Sequence, residues 1–322
     1  MKTNYLKVLL IIGCGLILLA CMTSSVESNE PSESQEDAST YQENATEAVV
    51  EDLEAVENSE TDAADNAEAA LDDTWDEEDD AVYLVYYDVV GSDLSEPYYY
   101  DLTDDTYSSQ QEDTDYQQDL WDYAKLIFPK HYLKQIDQVI FFTDDVDNDL
   151  ASVEPLDYES ASKWILYMDV MDAGDRNWFA QTLTHELGHL MTLELNQFDS
   201  AGAACQTYET DYGCFAPSSY IADFVDQFWT DLLPEFQEIE ANSSSQEEFD
   251  VQITDFYNNY WDQFVSEYAA TNPEEDFSES WNWYVFELEP EGDGQIAWDK
   301  IAFFDQYPEL VKIAEQIRAN VK

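Results

Sequence analysis

The sequence predicts an α+β domain: a small sheet, then one long buried helix, then a mainly helical carboxy-terminal half. Three observations predict it. Composition changes abruptly at Ala81, where an acidic stretch gives way to the β-branched and aromatic run AVYLVYYDVV. Apolar residues at Phe179, Leu183, Leu187 and Leu190 then recur at helical spacing behind Asp175, a good helix cap. Beyond the cysteine pair, caps and amphipathic runs follow one another without strand signals. Strands before and helices after define an α+β arrangement, placed here as one domain over residues 81–322.

Taken in order, AVYLVYYDVV forms the first strand. YQQDLWDYAKLIF forms a helix with Leu120, Tyr123, Ala124 and Ile127 on one face, and Pro129 stops it. QVIFFTDD and WILYMDVMD supply two more strands. The Asp175-capped helix runs on through Trp178 to Leu190. Later helices are expected over about Ser219–Leu233, Gln246–Tyr268, Pro273–Phe286 and Pro308–Asn320.

The amino-terminal part has a different character. Lys2 and Lys7 flank the apolar run Val8 to Ala20, which is short for a membrane span and suited to a signal-peptide core. Leu18-Leu19-Ala20-Cys21 resembles the lipobox of bacterial lipoproteins. The resemblance implies cleavage before Cys21, lipidation of its thiol and anchoring to the membrane on the extracytoplasmic face. Residues 1–20 are thus expected to be a lipoprotein signal peptide. Residues 21–80, rich in Ser, Glu, Asp and Ala, are expected to be an acidic disordered tether, since they hold too little apolar surface to offset ordering entropy. Cys14 falls in the discarded segment. Cys205 and Cys214 remain, an even pair in an oxidising compartment, and predict a small-loop disulfide.

The formal net charge is −62, from 11 Lys and Arg against 73 Asp and Glu. Such a surface repels phosphate backbones, so nucleic acid is excluded as a partner.

His185-Glu186-Leu187-Gly188-His189 fits HExxH, and the chain has only three histidines. On a helix, residues four apart lie one turn apart on one face, so both imidazoles can reach one ion. Glu186 stands beside them as a candidate general base. His131, the third histidine, suits a surface or packing role. A catalytic zinc needs a third protein ligand. With Thr192 and Leu195 where the elongated metzincin pattern requires Gly and His, that ligand must be a carboxylate. The best-anchored candidates lie on the helix after Asn272 (the N-cap) and Pro273, where Glu275 completes a capping box and shares a face with Glu279. Asp276 is a candidate for orienting a histidine from behind. Glu194, Glu209 and Asp211 are rivals for the third ligand. Asp145, Asp147 and Asp149 alternate as in a calcium loop, but Leu150 and Leu156 occupy its Gly and Glu positions.

HELGH followed by a helix bearing EDFSES resembles the gluzincin peptidases. It is similar in particular to bacterial members related to the anthrax lethal-factor catalytic domain and the Pro-Pro endopeptidases, in which a segment of the type E-x-F-A-E supplies the third ligand. It also resembles zinc-binding bacterial lipoprotein peptidases with an NPEEDFAES-like segment. The resemblance implies a zincin-like catalytic domain, a Zn2+ cofactor held by His185, His189 and Glu279, and a peptide or protein substrate. It further implies Glu186 as catalytic base, Tyr268 as hydrogen-bond donor to the oxyanion, and WILYMDV as an edge strand for substrate. Ser278 stands where the family carries Ala. The alternative expectation is a non-catalytic zinc-containing surface lipoprotein used for binding or adhesion.

Overall fold

A computed structural model describes residues 81–144, 149–156, 162–199, 204–210 and 212–321. The expected signal peptide, tether and lipidated Cys21 lie outside the described residues, as do Asp145, Asp147 and Asp211.

The α+β expectation holds. Strands β1 (Val82–Val90), β2 (Asp93–Leu94) and β3 (Tyr98–Tyr99) come first. Helices α1 (Ser108–Glu112), α2 (Thr114–Ile127) and α3 (Lys130–Leu133) follow, then β4 (Ile136–Thr143), β5 (Ala151–Pro155) and β6 (Trp164–Asp169). The sheet runs β2-β1-β4-β6-β5, with β3 also on β1. β1 is antiparallel to β4, β4 parallel to β6, and β5 antiparallel to β6. β6 is therefore internal, and the expectation that WILYMDV forms the edge is corrected. The edge is β5, which sequence patterning missed because ASVEP is short and ends in proline. Proline lacks a ladder donor and is tolerated at just such an edge.

One sheet face carries Val85, Tyr87, Val139, Phe141, Leu166 and Met168 into the core. Against the core lies α4 (Arg176–Thr192). Its start is as the sequence predicts: Asp175 Oδ1 accepts from the backbone N–H of Asn177 at 3.0 Å and Trp178 at 3.3 Å. Phe179, Leu183, Leu187 and Leu190 are all fully buried, whereas Trp178 faces solvent. From Leu183 onward every residue of α4 is buried, so this helix is central, not a surface helix with one apolar stripe.

After α4 come the short hairpin β7 (Glu209–Thr210) and β8 (Gly213–Cys214). The predicted disulfide joins Cys205 to Cys214. The helical half holds α5 (Tyr220–Phe228), α6 (Leu233–Asn242), α7 (Gln246–Tyr260), α8 (Pro273–Phe286), α9 (Gln295–Ala302) and α10 (Pro308–Asn320). α8 and α10 have the expected bounds. α7 stops at Tyr260, eight residues early. The helix expected over Ser219–Leu233 ends at Phe228, where the chain turns at the fully buried Trp229, and α6 beyond it is not among the expected helices.

α8 crosses α4 at very close range. A Cβ on Gly188 would sit 2.7 Å from Ser278 Oγ, 2.8 Å from Ser278 Cα and 2.9 Å from Ser278 Cβ. Glycine at this point of HELGH is thus required by the neighbouring backbone. Gly188→Ala is expected to cost about 1–3 kcal/mol by overpacking. Adding Ser278→Gly should restore only part of that loss, because the main chain at residue 278 still crowds the new methyl group. Thermal melts of both variants check this; full stability in Gly188→Ala would refute the close approach.

Candidate metal centre

Two one-turn pairs face each other where α4 and α8 cross. His185 and His189 project from α4, with their rings edge to face at a centroid separation of 4.9 Å. Glu275 and Glu279 project from α8 with the same four-residue spacing. His185 Nε2 lies 3.1 Å from His189 Nε2 and 2.9 Å from Glu275 Oε2, and His189 Nε2 lies 3.4 Å from that same oxygen. His185, His189 and Glu275 form a buried group that could hold a metal ion.

The expected third ligand, Glu279, is elsewhere. Its Oε1 is 2.9 Å from His185 Nδ1, on the far side of the ring, and its Oε2 accepts from Ser266 Oγ at 2.6 Å. Position on α8 decides the roles. Glu275 lies one turn nearer the helix start, opposite both Nε2 atoms, whereas Glu279 meets the back of His185. The group that could hold a metal ion is thus His185, His189 and Glu275, while Glu279 meets the Nδ1 side of His185. The capping box forms only by half: Asn272 Oδ1 accepts from the Glu275 N–H at 2.8 Å, but the Glu275 carboxylate turns to the histidines instead of back to Asn272.

The donor set fits a cation. His185 directs Nδ1 at Glu279, and His189 directs Nδ1 at Ser278 Oγ, 3.3 Å away. With Nδ1–H donated to Glu279, a neutral His185 presents its Nε2 lone pair to the centre, and the same tautomer of His189 does likewise. Two lone pairs and a carboxylate oxygen then converge, an electron-rich cluster that calls for a positive charge. Burial by itself would push His185 down, but Glu275 and Glu279 outweigh it and hold its pKa well above the ordinary value. Burial would likewise raise Glu275, yet the two histidines hold it well below the usual carboxylate range. Both shifts express the same demand for charge compensation.

Glu186 follows His185 on α4 and is buried beside the two histidines. Its Oε2 accepts from the backbone N–H of Val153, on β5, at 3.0 Å. Its Oε1 is buried with no hydrogen-bond partner among the described residues. Burial pushes its pKa up to about 7, against the pull of His189 and His185. Tyr268, half-buried, is brought beside the centre, its ring centroid 5.8 Å from that of His185.

Two further acids at the start of α8 are spoken for. Asp276, a candidate for orienting a histidine, instead meets Lys300 Nζ at 2.6 Å, with both side chains fully buried, and accepts from Trp229 Nε1 at 2.8 Å. Lys300 also lies 3.9 Å above the Phe264 ring. Glu274 accepts from Tyr208 Oη at 2.9 Å, which ties α8 to the disulfide loop. Neither Lys300 nor Tyr208 carries a motif that would single it out in sequence. The rival Glu194 accepts from Gln135 Nε2 at 2.7 Å, Glu209 is exposed on β7, and neither belongs to the cluster. His131 is exposed and packs on Tyr132, as expected.

Glu275→Ala is expected to abolish stoichiometric metal binding. Glu279→Ala should retain the ion with affinity lowered by roughly 10–100-fold, the usual cost of losing the group behind a ligating imidazole. Metal analysis after dialysis against graded chelator distinguishes them, and the reverse order would return Glu279 to the ligand position. Compared with protein-family models, with curated proteins and with solved structures, the chain finds no match, so the role of the centre rests on its own geometry.

Proposed function

We propose that this chain hydrolyses peptide bonds as a zinc enzyme, with His185, His189 and Glu275 as metal ligands and Glu186 as general base. One observation carries this: three potential ligand atoms converge on one side of α4 beside a buried carboxylate whose second oxygen takes no partner among the described residues. Two imidazoles and a carboxylate are a donor set of catalytic zinc. When bound, zinc supplies Lewis acidity, polarising a carbonyl and acidifying water.

The chain's own groups do the rest. Val153 N–H holds Glu186 Oε2, which leaves Oε1 to receive a proton. A carboxyl pushed to about 7 can take a proton and return it to a leaving amine near neutral pH. Glu279 and Ser278 keep both Nδ1 atoms occupied and so aim the Nε2 atoms inward. Tyr268, beside His185, is assigned to the carbonyl oxygen on which negative charge develops. β5, an edge strand touching the base, is the strand along which an extended substrate would lie. The lipobox-like Leu18–Cys21 supports a lipid-anchored, extracytoplasmic protein, and a disulfide suits that oxidising compartment.

Depth favours a second reading. His185 is 5% exposed, Glu275 3% and His189 1%, which suits an ion kept for structure in a surface-binding lipoprotein. Glu186→Gln separates the two. Under the hydrolase reading it retains zinc but loses peptide cleavage by at least about 100-fold, and chelation of the wild type removes cleavage reversibly. A zinc-loaded wild type that leaves a diverse peptide library uncut would establish the structural role.

A further inference from the structure

The sheet face turned away from α4 is paved with tyrosine. Tyr86 on β1 stacks on Tyr98 of β3 at 4.7 Å with the planes 9° apart. Tyr100 lies 5.7 Å from Tyr86 and 6.0 Å from Tyr83. Tyr83 continues the surface to Tyr167 on β6 at 6.2 Å and to Phe142 on β4 at 6.5 Å. These residues alternate with the core-facing Tyr87, Phe141, Leu166 and Met168, so the pleat itself sends them outward. Tyr98 is 48% exposed, Tyr83 39% and Tyr100 37%. An aromatic surface of this extent on one face is the kind that marks an interaction site.

Carboxylates frame it. The strand register puts Asp88, Gln138, Ile165 and Glu154 in one row across β1, β4, β6 and β5. Glu154 Oε2 accepts from Tyr167 Oη at 3.2 Å, and Asp88 Oδ1 accepts from Gln138 Nε2. Glu96 and Asp101, both exposed, flank the Tyr98–Tyr100 run.

We propose that this tyrosine face is a docking surface for a lysine- or arginine-rich polypeptide segment. Charge and ring chemistry together select that occupant. A second copy of a chain with net charge −62 is repelled, as is any anionic surface. A neutral apolar partner would strip water from Asp88 and Glu154 with nothing in return. An ammonium or guanidinium group meets both needs, lying on a ring face while its charge is answered by the framing carboxylates. The chain makes the same contact internally: Lys125 lies over Trp121, Arg176 over Tyr123, Lys300 over Phe264 and Arg318 over Tyr284. Docking here does not require the centre to be catalytic.

The test is the affinity of a nine-residue Lys/Arg peptide for the full chain, measured in a Glu186→Gln background so that the peptide stays whole. Tyr86→Ser/Tyr98→Ser leaves net charge untouched, so general attraction to an acidic protein is unchanged. Its expected effect is about a tenfold loss of affinity, with none in Trp298→Ser, an exposed ring on α9. Should the double variant melt early, chemical-shift changes at the rings of Tyr98 and Tyr100 on titrating peptide into Glu186→Gln, all tyrosines intact, give the same answer. Equal affinity in the double variant, no ring shifts, or equal binding of a peptide with every cation replaced by citrulline would overturn the proposal.

Discussion

Everything at the candidate centre depends on how closely α8 approaches α4. Side chains four apart on a helix lie one turn apart, so each helix alone can present only a pair of groups along its length. A site of four converging groups requires two such pairs to meet face to face within hydrogen-bond range. Gly188, with Ser278 pressed where its side chain would be, removes the one obstacle to that meeting. Moving α8 outward by the width of a methyl group would part Glu275 from both Nε2 atoms and Glu279 from Nδ1 together.

That approach buries charge, and burial is tolerated only because every acid is partnered. Four carboxylates stand within the first two turns of α8: Glu274 meets Tyr208, Glu275 meets two histidines, Asp276 meets Lys300 and Trp229, and Glu279 meets His185 and Ser266. The partners come from five different parts of the chain, so the carboxylates are directed to different neighbours while sharing one helix end. The positive end of the helix dipole favours them in common. Leaving any of these partners behind without its acid would strand a buried polar or charged group, a larger cost than the pair's net contribution. The same logic fixes side-chain direction, which is what a metal centre requires of its surroundings.

Much of this is legible in sequence, and the failures have physical reasons. The caps Asp175 and Asn272 fix helix starts through short local bonds, so local patterning finds them. His185, Glu186 and His189 are set by periodicity within one helix. Choosing Glu275 over Glu279 needs the crossing register of two helices ninety residues apart, information that no local window holds. The role of Asp276 is hidden for a related reason: its partner Lys300 belongs to α9, which has no strong sequence signal. β5 escapes notice because five residues with one proline show too little alternation to separate from a loop.

The short edge strand joins sheet to centre. On β5 the even-numbered residues pair with β6, as at Leu150 with Asp169 and Leu156 with Lys163. Odd-numbered residues therefore turn their backbone groups outward, where an unpaired edge invites association with any extended chain. Here Pro155 has no N–H to offer, and the N–H of Val153 is given to Glu186. One hydrogen bond thus does two things: it closes part of an exposed edge and fixes the carboxylate that HExxH places beside the histidines. Strand and helix are coupled at the residue on which any hydrolytic chemistry would turn, so the position of β5 is a constraint on the site as strict as the packing of α8.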